Sequence, residues 1–157
     1  MTIQFDLSGK VAIVTGGGKG IGRAIALGLS SAGARVVVAG RTADPLNEVA
    51  EQIRAAGGQA LPLPTDLTDG SQIDQLAAKT IETFGRIDIL VNNASAIFLA
   101  RTLDTPLKRF DLMHQINTRG TFACSQACIP HLKKAANPHI LNLSPPLNMD
   151  ANWFAPA

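Results

Sequence analysis

The run Thr15-Gly16-Gly17-Gly18-Lys19-Gly20-Ile21-Gly22 constrains this chain more than any other stretch, because of what stands on either side of it. Before it lies an apolar, strand-like segment ending at Thr15. After it, Ile21, Ile25, Gly28, Leu29 and Ala32 recur on one face of a helical pattern. A strand that turns through glycines into a helix gathers unpaired backbone N–H groups and the positive end of the helix dipole at one point. Such a point suits a pyrophosphate. The glycines are expected to have separate duties: Gly16 permits the tight turn, Gly20 lets backbone approach the phosphates, and Gly22 lets helix and strand pack closely. Gly17, Gly18, Lys19 and Ile21 complete the expected cofactor-facing loop.

Two other glycine-loop readings fit less well. A nucleoside triphosphatase loop needs Gly-Lys followed by Ser or Thr, whereas Gly20 follows Lys19. The strict Gly-x-Gly-x-x-Gly fingerprint fails too, since Ile21 stands where its third glycine belongs. A flexible surface turn would leave the apolar, regular flanks without a reason. Thr-Gly-x-x-x-Gly-x-Gly is the pattern that fits.

Strand-like runs alternate with helical patterns along the rest of the chain. Strands are expected at Val11–Thr15, Arg35–Ala39, Gln59–Pro64, Ile87–Asn92 and His139–Leu143. Helices are expected near Gly20–Ala32, Asp44–Ala56, Asp69–Phe84 and Lys108–Lys134, with Asp44-Pro45 and Asp69 as starts and Gly33, Gly57 and Gly85 as stops. This order predicts an α/β fold, a Rossmann-type doubly wound parallel sheet of five strands, in a single domain over residues 1–157. The runs are β-branched and nearly continuous, as strands buried on both faces should be.

Bulk properties exclude several classes. With 46% hydrophobic and 17% charged residues over 157 positions, the chain is globular and long enough for one core. A net charge of +2 with scattered basic residues argues against a nucleic-acid partner. No run approaches the roughly 18 apolar residues of a membrane span. The first residues lack the blocks of a secretory signal, so a cytoplasmic location is expected by default. Cys124 and Cys128 fall on one helix face and read as buried, reduced thiols; with His131 they would make a poor tetrahedral set, and no metal site is expected.

In a sheet of this kind ligands lie beyond the carboxyl ends of the strands. After the second strand, Gly40 and Arg41 stand where a site for NAD usually has an acid. A guanidinium suits a 2′-phosphate and Lys19 adds a second positive charge, so NADP(H) is favoured over NAD(H). The third strand end offers Asp66 and Leu67, where Asp66 either accepts from an adenine amino group or begins a turn. The fourth offers Asn93, Ala94 and Ser95, small and amide side chains that suit a ribose.

With the glycine run, Asp66, Asn92-Asn93-Ala94 and Asn117 in view, the chain resembles the short-chain dehydrogenase/reductase family over essentially its whole length. The stretches Asn92–Ala96, Leu103–Pro106, Asn117–Gly120 and His139–Asn148 are similar to one branch of it, which shares Ser95 where the family commonly has Gly. The resemblance implies oxidation of an alcohol or reduction of a carbonyl, on a small-molecule substrate that this branch makes lipid-like. It also implies a homo-oligomer, often joined through the long helix near Lys108–Lys134. Ser144 matches the serine that hydrogen-bonds the substrate oxygen, with Pro145 biasing it toward extended backbone. Asn117 matches the asparagine that holds a water in the proton relay. The family's tyrosine and lysine would fall just beyond Ala157, and the chain has no tyrosine. His114, His131 and Asp150 offer no plain replacement. The 157 residues are therefore expected to be the cofactor-binding part of a longer enzyme, inactive alone. The alternatives are a non-catalytic NADP-binding or regulatory module, and another α/β nucleotide enzyme such as a methyltransferase or an epimerase.

Overall fold

The computed structural model describes residues 5–144; Pro145 and Asp150 lie outside them. Five strands form one parallel sheet in the order β3-β2-β1-β4-β5: β1 Val11–Thr15, β2 Arg35–Gly40, β3 Ala60–Pro64, β4 Ile89–Asn92 and β5 His139–Asn142. The chain winds outward from β1 to β3, then crosses back to the other side of β1 for β4 and β5. The register places Thr15 beside Ala39 and Val14 beside Val91, so three strand ends finish at nearly one level.

Alternation within the strands explains the two layers of helix. Ile13, Val37 and Leu90 point to one face, where they meet α3 (Gly70–Phe84) and α5 (Thr121–Leu132). Val14, Val36, Val38 and Val91 point to the other, where α1 (Gly20–Ser31) and α2 (Ala43–Ala55) cover them. Every residue of β1 is buried. Strand β5 forms the sheet edge, and its four residues are exposed. Asp69 caps α3 by accepting from the Ser71 amide, and Gly85 closes it at φ +77°.

Three local expectations are corrected. Strand β4 begins at Ile89 and not at Ile87, because Asp88 turns its carboxylate to the Val11 amide and to Arg86 below the sheet. Helix α1 buries Gly22 and Ala26, while Ile21 is 67% exposed, so the face against the sheet is one of small residues with Ile25 and Leu29 at its flank. The expected long helix is broken: α4 (Leu107–Met113) passes into a π-helical segment, His114–Gly120, before α5. Cys124 and Cys128 are buried, and burial pushes both thiols up to about 12.

Candidate functional site

The end of β1 and the end of β4 are stitched together by two side chains. Thr15 Oγ1 donates to the Val91 carbonyl at 3.2 Å and accepts from the amides of Asn93 and Ala94 at 3.0 and 3.1 Å. Asn93 then turns its carboxamide back into the glycine run, donating to the Thr15 carbonyl at 2.9 Å and to that of Gly16 at 3.2 Å. Gly16 adopts φ +66°, and a Cβ there would lie 2.9 Å from the Ala94 Cα. Gly22 presses against the same place, since its Cβ would run into the Gly16 carbonyl oxygen and the Asn93 amide. Gly17 donates its amide to Ala39 at 3.1 Å and so ties the loop to β2.

Above these strand ends lies a cleft of about 320 Å³, in the size range of small-ligand sites. Gly16, Gly18 and Lys19 form one wall, Arg41 stands beyond β2, Asp66 and Leu67 beyond β3, and Ala94 and Ser95 beyond β4. Eight expected residues thus share one cleft. Gly17, Gly20, Ile21, Gly22, Asn93, Asn117 and Ser144 do not line it; Gly17, Gly22 and Asn93 instead hold the glycine loop through their own contacts. Thr15, Thr42, Pro45, Leu46, Thr65 and Ile116 line it without having been expected to. Thr15 and Thr65 could have been found as strand-end residues next to Gly16 and Asp66. Ile116 could not, because the π-helical segment sets its position.

Asp66 and Asn117 have definite local roles. Asp66 Oδ1 accepts from the Thr68 amide and hydroxyl, both at 2.9 Å, and the Asp66 amide donates to Gln72. Asp66 therefore begins a turn while facing the cleft. Asn117 grips one residue of the loop after β4 through both ends of its carboxamide: Ala96 N–H donates to Oδ1 and Nδ2 donates to the Ala96 carbonyl, each at 2.8 Å. Ser144 stands two residues past the end of β5, after Leu143, whose N–H donates to the Asn92 carbonyl at 3.0 Å. The Asn92 amide donates to Asn142 Oδ1 and Ser125 Oγ.

Charge in the cleft is positive on balance, with Lys19 and Arg41 against Asp66. Lys19 and Arg41 are exposed, and neither pairs with a carboxylate among the described residues. The first turn of α1 has no acid and no side-chain cap, which leaves its amide end open toward the loop. His114 packs on the Phe110 ring at 4.2 Å, away from the cleft wall. No cluster of potential metal ligands occurs among the described residues.

Glycine turn, switch-point cleft and five-stranded parallel sheet define a Rossmann-type α/β protein. The chain belongs to the short chain dehydrogenase family, whose model matches residues 10–151. It is 52% identical over 155 residues to human hydroxysteroid dehydrogenase-like protein 2, covering 94% of this chain and 37% of that one. A solved metagenomic short-chain oxidoreductase in complex with NADP is 37% identical with a TM-score of 0.81, covering 85% of this chain and 61% of its own. A 7α-hydroxysteroid dehydrogenase complexed with NADH and 7-oxo glycochenodeoxycholic acid is 34% identical with a TM-score of 0.86, covering 96% of this chain and 60% of its own. The chain thus spans well under half the length of its human relative.

Proposed function

We propose that the cleft holds NADP(H) and that this chain supplies the cofactor-binding part of an oxidoreductase acting on an alcohol or carbonyl. One observation carries the cofactor choice: Lys19 and Arg41 line the same cleft, with Gly40 and Arg41 at the end of β2 where an acid would stand. A planar guanidinium beside an ammonium complements a 2′-phosphate, whereas an acid in that place would accept from ribose hydroxyls. The two solved relatives carry different nicotinamide cofactors, so the selection rests on these two side chains.

The residues present fit the group. A Cβ on Gly16 would close the turn, Gly20 adopts φ +51° facing open space, and the uncapped start of α1 offers backbone N–H donors to phosphates. Asp66 and Leu67 would take the adenine end, and Ala94 and Ser95 the nicotinamide riboside. When bound, the cofactor supplies the hydride. Ser144 would donate to or accept from the substrate oxygen, and Asn117 keeps the Ala96 loop in place beside it. Exposed Ile97 and Leu99 directly follow that loop and support an apolar, lipid-like substrate. Exposed Leu107, Phe110 and Phe122 on α4 and α5 support self-association. No helix among the described residues is long and apolar enough to cross a membrane, and a cytoplasmic location remains part of the proposal.

With no tyrosine in the chain, we propose cofactor binding without steady turnover by these 157 residues. Calorimetric titration with NADPH and NADH tests the reading. NADPH binds about tenfold tighter or better, and Arg41→Asp removes that preference. Equal affinity for both cofactors overturns the NADP assignment; binding of neither overturns the cleft assignment. Robust carbonyl reduction by the same sample overturns the assignment of proton transfer to residues outside it.

A further inference from the structure

We propose that Arg119 is a positioning residue of the cleft: from the π-helical segment it sets the Asp66–Thr68 turn on which the adenine end of the ligand rests. The proposal rests on the reading of the cleft as a dinucleotide site, and adds a residue to it that does not line the cleft itself.

The π-helical segment meets the loop after β3 at two points and shares the cleft with it at a third residue. Arg119 NH1 donates to the Thr68 carbonyl at 3.0 Å, across 51 positions of chain. Gly120 is buried against Leu67, where an added Cβ would lie 3.1 Å from the Leu67 Cβ. Ile116, 6% exposed, lines the cleft, as Leu67 does. Ile116, Arg119 and Gly120 stand three and four positions apart, so one side of the segment addresses one loop. Segments of π-helix inside longer helices are often found at functional sites. Here the wider turn presents a guanidinium to Thr68 and a bare backbone to Leu67, consecutive residues of one turn, and leaves Ile116 on the cleft wall.

The effect on Asp66 runs through Thr68. The Thr68 amide and hydroxyl both donate to Asp66 Oδ1, which fixes the carboxylate relative to the Thr68 peptide. Arg119 in turn fixes that peptide's neighbour by holding the Thr68 carbonyl. A loop carbonyl beyond the end of a strand has no ladder partner, so this donor decides how tightly the turn is held. Two residues earlier, Asn117 grips Ala96 on the loop after β4. One seven-residue segment therefore orients loops at two strand ends of the cleft.

The test compares the full chain with Arg119→Met and Arg119→Lys, titrated with adenosine 2′,5′-bisphosphate at about 0.5 M salt, where attraction through solvent is screened. Arg119→Met binds about three- to tenfold more weakly, the range for one lost hydrogen bond, and Arg119→Lys, which keeps a donor, stays within about twofold. In the free Arg119→Met chain the Thr68 amide exchanges its hydrogen faster, while Val37 and Leu90 exchange at the parent rate and mark an intact fold. Parent-like affinity of Arg119→Met, or an unchanged Thr68 amide, overturns the role of Arg119 alone. Failure of the unsubstituted chain to bind the bisphosphate overturns the cleft reading and this inference with it.

Discussion

The Asn93 carboxamide donates to the Gly16 carbonyl at 3.2 Å, so a residue at the end of β4 holds the turn at the end of β1. The same nitrogen reaches the Thr15 carbonyl at 2.9 Å. Asn93 thus shapes the loop without lining the cleft. Asn93→Ala leaves two partly buried carbonyls without their donor and costs about 1–3 kcal/mol of stability. NADPH affinity falls as well, because the freed loop must be ordered again on binding. Urea unfolding and calorimetry measure the two losses; a variant with parent stability and parent affinity would refute the role.

Gly22 and Gly28 lie on the same helix, and alanine at each gives opposite signs. Alanine in a helix interior is worth up to about 1 kcal/mol over glycine. At Gly28 an added Cβ meets nothing within 4 Å, so Gly28→Ala raises the unfolding temperature. At Gly22 it meets the Gly16 carbonyl and Asn93, so Gly22→Ala lowers it despite the better propensity. Two variants and one thermal melt decide the matter, and equal shifts would show that α1 is free to move away from the loop.

Layered architecture was legible because the strands are β-branched and short and the helices punctuated by Gly33, Gly57 and Gly85, whose φ angles are all positive. The cleft residues beyond the strand ends were legible for the same reason: topology puts strand ends together whatever the side chains do. Side-chain targets were not. Nothing in Asn93 as a letter says that its amide turns back to Gly16 instead of facing a ligand. The π-helical segment was also hidden, since Lys108–Lys134 reads as one helix at ordinary periodicity. What breaks it is tertiary: Asn117 to Ala96, Arg119 to Thr68 and Gly120 to Leu67 all draw on the same turn. Ile21 misled the face assigned to α1, because large apolar side chains are easier to see than the small residues that let a helix lie close.

Asp88 gives the fold an acid limit. Its side chain has no exposure, and burial by itself would raise the carboxyl. Arg86 at 2.6 Å, the Val11 amide and the Lys10 charge at 3.6 Å outweigh that and hold it below the usual carboxylate value. A carboxyl lowered on folding contributes stability that is complete above the unfolded value of about 3.9 and is lost as pH falls through the lower folded value. Arg86 is 44% exposed, so its share is screened. Asp88→Asn is expected to cost about 1–3 kcal/mol at neutral pH. Urea midpoints of parent and variant converge as pH falls toward about 3, and a gap that stays constant with pH would assign the loss to packing instead.

Cys124 and Cys128 report the integrity of the layer formed by α3 and α5. Both are nearly free of solvent contact, and burial raises each thiol to about 12, with Cys124 adding to the shift at Cys128. Because the thiolate is the reactive form, neither reacts with a thiol-directed reagent at pH 8 while the chain is folded. The thiols face Leu76, Ala77 and Leu90 in one apolar cluster, so labelling requires α5 to leave the sheet. Labelling followed against urea should therefore rise with the global unfolding curve. A rise well before it would show that α5 separates as its own unit, and would place the Asn117 and Arg119 contacts among the first to be lost.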